Sequence, residues 1–141
     1  MPTHPLLSSP ADWTRLRQQA LRAKGQLVLL ALVSLEHCPY CKLLIREQLV
    51  SRIREGRPAV QVLEFDLSDS RPIAAEGSQP LPSPREWARR HRFKLAPTVT
   101  AITPSLSPVG SPLLGYSSPD FYSAYLEDLI LAGRASWTQS A

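Results

Sequence analysis

Hydrophobic and polar positions divide this chain into alternating helix-like and strand-like stretches. In "SSPADWTRLRQQALRAKG" the residues Trp13, Leu16, Ala20 and Ala23 recur near helical spacing and give one apolar face. Ser9 can cap this helix, Pro10 suits its first position and Gly25 stops it, which predicts an N-terminal helix over about 10–24. "QLVLLALVSL" follows as a continuous apolar run after a breaker, the pattern of a strand buried on both faces of a parallel or mixed sheet. "PYCKLLIREQLVSRIRE" returns to helical periodicity, with Leu44, Ile45, Leu49 and Ile53 near one face and Gly56 and Pro58 closing it. "AVQVLEFDL" reads as a second strand.

Residues 67–84 hold four prolines and little periodicity, and predict an exposed loop longer than a compact domain usually needs. "SPREWARRHR" is a short helix with a capping-box pattern at Ser83, Pro84 and Glu86. "PTVTAI" is a third strand, "TPSLSPVGSP" a turn region, and "LLGY" a short fourth strand that Pro112 marks as peripheral. "SSPDFYSAYLEDLILAG" is the last helix, with Phe121, Tyr122, Tyr125, Leu126 and Leu129 as a wide apolar stripe and Gly133 at its end. Residues 133–141 are expected to be a flexible tail. Trp87 and the aromatics of the last helix are expected in the core. The order α-β-α-β-α-β-β-α demands a right-handed parallel βαβ crossover and a closing hairpin. The fold class is therefore α/β: a central mixed four-stranded sheet flanked by helices, with an extra N-terminal helix, in a single domain over 1–141.

Composition adds bounds. With 141 residues, 43% hydrophobic and 20% charged, the chain is globular rather than disordered. Its net charge of +4 favours acidic partners weakly, and no long Lys/Arg run suggests nucleic acid. The longest apolar run, 27–35, is broken by Ser34 and too short to span a bilayer. "MPTHPLLSSP" lacks the features of a secretory signal, so the expectation is a cytosolic protein or one whose signal was removed.

The candidate chemistry lies at the only two cysteines, Cys38 and Cys41, in "LEHCPYCKLL". A strand that ends in a short loop opening a helix puts Cys38 at a helix N-terminus, where unpaired N–H groups and the macrodipole favour a thiolate. Cys41 stands one helical turn on, a spacing that suits a disulfide. Cys38 then serves as the exposed nucleophile and Cys41 as the resolving thiol. Pro39 falls at the first helical position, and Tyr40 adds aromatic surface without charge. His37 would support the thiolate if protonated, and Glu36 would oppose it. A zinc-type site needs four ligands, and His4 and His91 stand in unrelated contexts. A module holding copper through two thiolates remains the alternative from another class, and a vestigial pair in an interaction domain is weaker still. A structural disulfide closing so small a loop stabilises little.

On these residues, and on "KLAPTVTAI" and "GYSSPDFYSAYLEDLI", the chain resembles the thioredoxin-fold superfamily over about 26–132. Within it the likeness is to exported bacterial thioredoxin-like proteins of the SoxS type, with their C-x-Y-C site and a "GY…DF" approach to the last helix, matched by Gly115, Tyr116, Asp120 and Phe121. The resemblance implies a thiol–disulfide oxidoreductase, bacterial and often periplasmic, working as a monomer on a protein thiol or disulfide partner without a bound cofactor or metal. It also implies that Pro97 is a cis-proline facing the cysteines, and that Ala96, Pro39 and Tyr40 join it in docking a substrate. Two departures stand out. Leu32 occupies the place of the buried acid that thioredoxin carries six residues before its first cysteine. The Cys-Pro-Tyr-Cys tetrad is also that of glutaredoxins, yet "GYSS" stands where their glutathione-binding glycine pair belongs, which leaves glutaredoxin-like activity as a weaker alternative.

Two further groups are weighed. Arg85, Arg89, Arg90, Arg92 and Lys94 are either a solvated helix face or a cluster steering an acidic partner. Asp66 and Asp69 are read as turn residues, and Tyr116 and Tyr122 carry no assigned role.

Overall fold

The strand β1, Leu27–Ser34, is apolar up to its last residue and buried on both sides from Val28 onward. In the computed structural model, which describes residues 2–74, 80–117 and 119–139, β1 lies inside a sheet of order β2-β1-β3-β4. It pairs in parallel with β2 (Ala59–Asp66) and antiparallel with β3 (Thr98–Ile102). β4 (Pro108–Leu114) closes the sheet antiparallel to β3. Side chains alternate across a strand. Val28, Leu30 and Leu32 therefore enter one core with Leu44, Leu49, Leu126 and Leu129. Leu29, Ala31 and Val33 enter the other with Trp13, Phe65, Trp87 and Trp137.

Among the described residues, five α-helices cover these two faces. α1 (Trp13–Ala23), led by a 3-10 turn at Pro10–Asp12, buries Trp13, Leu16 and Ala20. α2 (Pro39–Leu44) runs through a π turn, Ile45–Leu49, into α3 (Val50–Glu55). α4 is Pro84–Arg90, opened by the expected cap: Ser83 Oγ accepts the Glu86 N–H at 3.1 Å. α5 is Tyr122–Thr138. The element order and the mixed four-stranded sheet agree with the sequence pattern.

Four readings need correction. The fourth strand is Pro108–Leu114, not the stretch 113–116. Its Pro, Gly and Ser content resembles a turn, but an edge strand tolerates prolines because its outer N–H groups have no partner to lose. The last helix does not stop at Gly133: it continues to Thr138, and the tail expected to fray is anchored by Trp137, which is fully buried and donates its Nε1–H to Ile102 O at 2.9 Å. Gly133 is there for proximity: a Cβ would stand 2.8 Å from Val28 Cγ1 and 2.9 Å from Ala101 Cβ. The aromatic stripe of α5 is also narrower than expected. Tyr122 is buried, but Phe121 precedes the helix in a left-handed conformation, and both it and Tyr125 are exposed. Finally, the stretch 67–84 is not simply a surface loop, because Ile73 is buried in the second core and its N–H is held by Pro82 O at 2.9 Å. Residues 75–79 of that stretch lie outside the described residues.

The sequence pattern was silent on one more feature. Ser8 runs beside β2, taking Glu64 N–H on its carbonyl and giving its own N–H to Val62 O, at 2.9 and 2.8 Å. Part of the outer edge of β2 is thereby covered.

Candidate redox site

The site is assembled where β1 and β2 end and β3 begins. Ser34 and Asp66 are register partners, and Leu67 N–H donates to Ser34 O at 2.9 Å, tying the two parallel strands together at that end. Four residues past Ser34, Cys38 caps α2 in an extended conformation with Pro39 at the first helical position. Its Sγ accepts the Cys41 N–H at 3.2 Å, and its carbonyl accepts the Lys42 N–H at the same length. The first contact satisfies a donor that a helix start otherwise leaves empty, and the second is the first regular hydrogen bond of the helix. The Cys38 and Cys41 sulfurs are joined as a disulfide, with Cα atoms 5.2 Å apart, a separation that ordinary disulfide geometry accepts. Cys38 is partly exposed, whereas Cys41 is only 2% exposed.

Around the disulfide the side chains divide sharply. On the inner side, Leu44 of the helix that carries Cys41 is buried in one apolar cluster with Ile45 and Leu32. Outside it, Pro39 and Tyr40 are exposed. His37, in a left-handed turn, points its ring to Glu36, with Nε2 3.6 Å from Oε1 and both side chains in solvent. The imidazole is thus partnered by a carboxylate.

Strand register brings Pro97 to the same place. Val33 faces Thr98, so Pro97 stands level with Ser34, at the end of the strand that delivers Cys38. The Ala96–Pro97 peptide is cis and Pro97 is buried, its carbonyl accepting Gly115 N–H at 2.8 Å. Ala96 is half-buried, and among the described residues its N–H and C=O make no backbone hydrogen bond. Asp66 and Asp69 are turn residues: Asp66 accepts Ser68 N–H at 2.7 Å, and Asp69 accepts Arg71 N–H at 3.0 Å.

One polar group of this region was not foreseen as such. Gln48, in the π turn and buried, donates to Tyr116 OH at 3.3 Å, and Tyr116 OH donates to Glu47 Oε1 at 2.8 Å. The left-handed Gly115 turns the chain from β4 into Tyr116. Burial raises the Tyr116 phenol above its usual range, and more strongly that of Tyr122, whose ring meets Tyr116 edge-on at 4.9 Å. The adjacent Glu47 and Gln48 in an apolar helical stripe were the available signal. Both residues lie in the π turn, a widening of the helix that is rare elsewhere.

No family model matches the sequence, and no curated protein matches it. Solved structures do. The C-terminal domain of DsbD from Neisseria meningitidis, in its oxidised form, superposes with a TM-score of 0.56 at 15% identity, over 88% of this chain and 98% of that one. This is a thioredoxin fold. The periplasmic thioredoxin SoxS of Paracoccus pantotrophus, in its reduced form, is similar at 24% identity and a TM-score of 0.50, over 77% of this chain and 98% of that one. Thioredoxin O2 of Arabidopsis thaliana, oxidised, is 12% identical with a TM-score of 0.50, over 89% and 92%. What this thioredoxin-fold chain shares with them is the mixed sheet flanked by helices. The disulfide sits where strand, loop and helix meet at one end of that sheet.

Proposed function

We propose that this protein is a thiol–disulfide oxidoreductase that exchanges its Cys38–Cys41 pair with a protein partner. The observation that carries this reading is the asymmetry of the pair: a partly exposed sulfur at a helix N-terminus, bonded to a buried one a turn below. In the reducing direction the Cys38 thiolate attacks one sulfur of a partner disulfide. A mixed disulfide forms and a partner thiolate leaves. The Cys41 thiolate then attacks Cys38 Sγ, which restores the intramolecular disulfide and releases the second partner thiolate. Two electrons pass from the dithiol to the partner, and protons from solvent complete the two new thiols. Run backwards, a partner dithiol reduces the disulfide seen here. The free backbone of Ala96 beside Pro97 supports docking of an extended partner segment across the disulfide, with Pro39 and Tyr40 flanking it. Electrons come from partner thiols, so the reaction uses no bound cofactor.

Similarity to the periplasmic thioredoxin SoxS supports a periplasmic setting. No helix among the described residues is long and apolar enough to cross a membrane. The test is trapping. Cys41→Ser is expected to accumulate a disulfide-linked adduct through Cys38 that dithiothreitol dissolves, and Cys38→Ser to form none. Equal adduct yields from the two variants would refute the assignment. Copper titration of the reduced protein addresses the second reading: tight metal binding without any reduction of disulfide substrates would favour a metal-holding module.

A further inference from the structure

The basic stretch 85–94 has a defined position relative to the disulfide. Arg85 N–H donates to Asp69 O at 3.0 Å, and Asp69 N–H donates to Asp66 O, so the start of α4 is pinned to the end of β2. At its other end the stretch leads through Leu95 and Ala96 into Pro97, level with the end of β1. α4 has seven residues, about 10 Å of helix. Both ends of the segment are therefore held at the end of the sheet that carries Cys38.

Its orientation is fixed from inside. Trp87, Ala88 and Phe93 are buried in the second core, with Trp87 Nε1–H donating to Leu106 O at 2.7 Å. Arg85, Arg89, Arg90, Arg92 and Lys94 are consequently exposed. Of these, Arg90 pairs with Glu86 at 3.8 Å, and none of the other four makes an ion pair among the described residues. Between 85 and 94 the sequence has five cations and a single carboxylate, Glu86. A face that only serves solubility interleaves both signs. Helix stabilisation explains Arg89 and Arg90 at the C-terminus but not Arg85, which lies in the first turn, where the macrodipole disfavours a cation. The nearby carboxylates are turned elsewhere, Asp66 to Ser68 and Asp69 to Arg71.

We propose that Arg85, Arg89, Arg92 and Lys94 form a docking strip for an acidic segment of the protein that exchanges disulfides with Cys38. The proposal rests on the exchange activity inferred above and specifies the partner's chemistry. A segment bound along α4 places its own cysteine near the disulfide, which a lipid headgroup, carrying no thiol, has no use for. Charge of one sign beside a reactive centre raises encounter rates by about 10- to 1,000-fold, steeply dependent on salt.

The test uses the full chain and two synthetic disulfide-bonded peptides with the same cysteine context, one flanked by Glu and Asp and one by Ser and Gln. The reduced protein is expected to react roughly tenfold faster with the acidic peptide at low ionic strength, the preference vanishing at high salt. Arg85→Gln/Arg89→Gln/Arg92→Gln is expected to abolish the preference while its disulfide reacts with dithiothreitol at the wild-type rate. Equal rates for the two peptides, or a preference that survives the triple substitution, would overturn the strip. Anisotropy of a fluorescent acidic peptide lacking cysteine separates the two levels. Salt-sensitive binding, lost in the variant, supports the strip even if no disulfide exchange occurs, and that outcome would sink the redox reading alone. Sedimentation with anionic phosphatidylglycerol vesicles, together with indifference to the acidic peptide, would assign the strip to a membrane surface and refute the proposal.

Discussion

Replacing Gly133 by alanine sets two ordinary rules against each other. In a helix interior, alanine is favoured over glycine by about 1 kcal/mol. If residues 133–141 frayed, Gly133→Ala would stabilise the end of α5 or change nothing. In the folded chain, however, the new methyl would meet Val28 Cγ1 at 2.8 Å and Ala101 Cβ at 2.9 Å. Both atoms belong to fully buried residues of the inner strands β1 and β3, and Ala101 Cβ has no rotamer through which to yield. α5 must shift away, loosening Leu129, Ile130 and the Trp137 anchor together. Overpacking a filled core costs about 1–3 kcal/mol, and two such contacts place this site toward the upper end. After the propensity gain, the net loss is about 2 kcal/mol, or roughly 5 °C in Tm for a domain of this size. Urea denaturation followed by Trp fluorescence measures it directly. A variant as stable as the parent, or more stable, would refute the close approach of α5 to the sheet.

The remaining expectations concern polar groups. Tyr116→Phe removes the acceptor of the buried Gln48 amide and is expected to cost about 1–3 kcal/mol, visible as a lower urea midpoint. Adding Gln48→Met should recover most of that loss, and a double variant no better than the single would contradict the pairing. Asp12 has its carboxyl held below the usual aspartate range, first by the Ser9 N–H, with Arg15 assisting and burial opposing. A depressed folded pKa means that this stabilisation is present above the unfolded value of about 3.9 and is lost as pH falls through the folded one. The stability gap between the parent and Asp12→Asn should therefore be constant near neutral pH and close below about pH 4. A gap unchanged down to pH 2 would show that the carboxylate charge is irrelevant.

Much of this fold is legible from periodicity because the decisive elements have no ambiguous side. β1 is apolar at every position but its last, so burial on both faces follows from the sequence alone. The break from Ser34 to Pro39 is likewise local, and it puts Cys38 at a helix start without reference to the rest of the chain. The four corrections share a different cause. Pro108 and Pro112 look like a turn until the strand is known to lie at an edge. Gly133 looks like a helix stop until the sheet is found against it. Ile73 looks like loop filling until it is found buried in the second core with Trp87 and Phe65. Phe121 and Tyr125 look like core until the left-handed turn at Phe121 sets the phase of α5.

The site divides in the same way. The spacing of Cys38 and Cys41 and the proline between them are sequence facts, and a short helical turn converts them directly into a partly exposed and a buried cysteine. The placement of Pro97 level with Ser34 is not local, because it depends on antiparallel register across strands more than sixty residues apart. The Gln48–Tyr116–Glu47 contacts join residues 68 and 69 positions apart, which no local pattern reveals. Whether Arg85, Arg89, Arg92 and Lys94 lie near the disulfide or far from it depends on where α4 is tied. By itself, then, the sequence determined the order of elements and the chemistry of one short loop, since both follow from interactions a few residues apart. Only the tertiary structure decided which distant residues surround that loop, because strand register and helix packing are selected by the whole core at once.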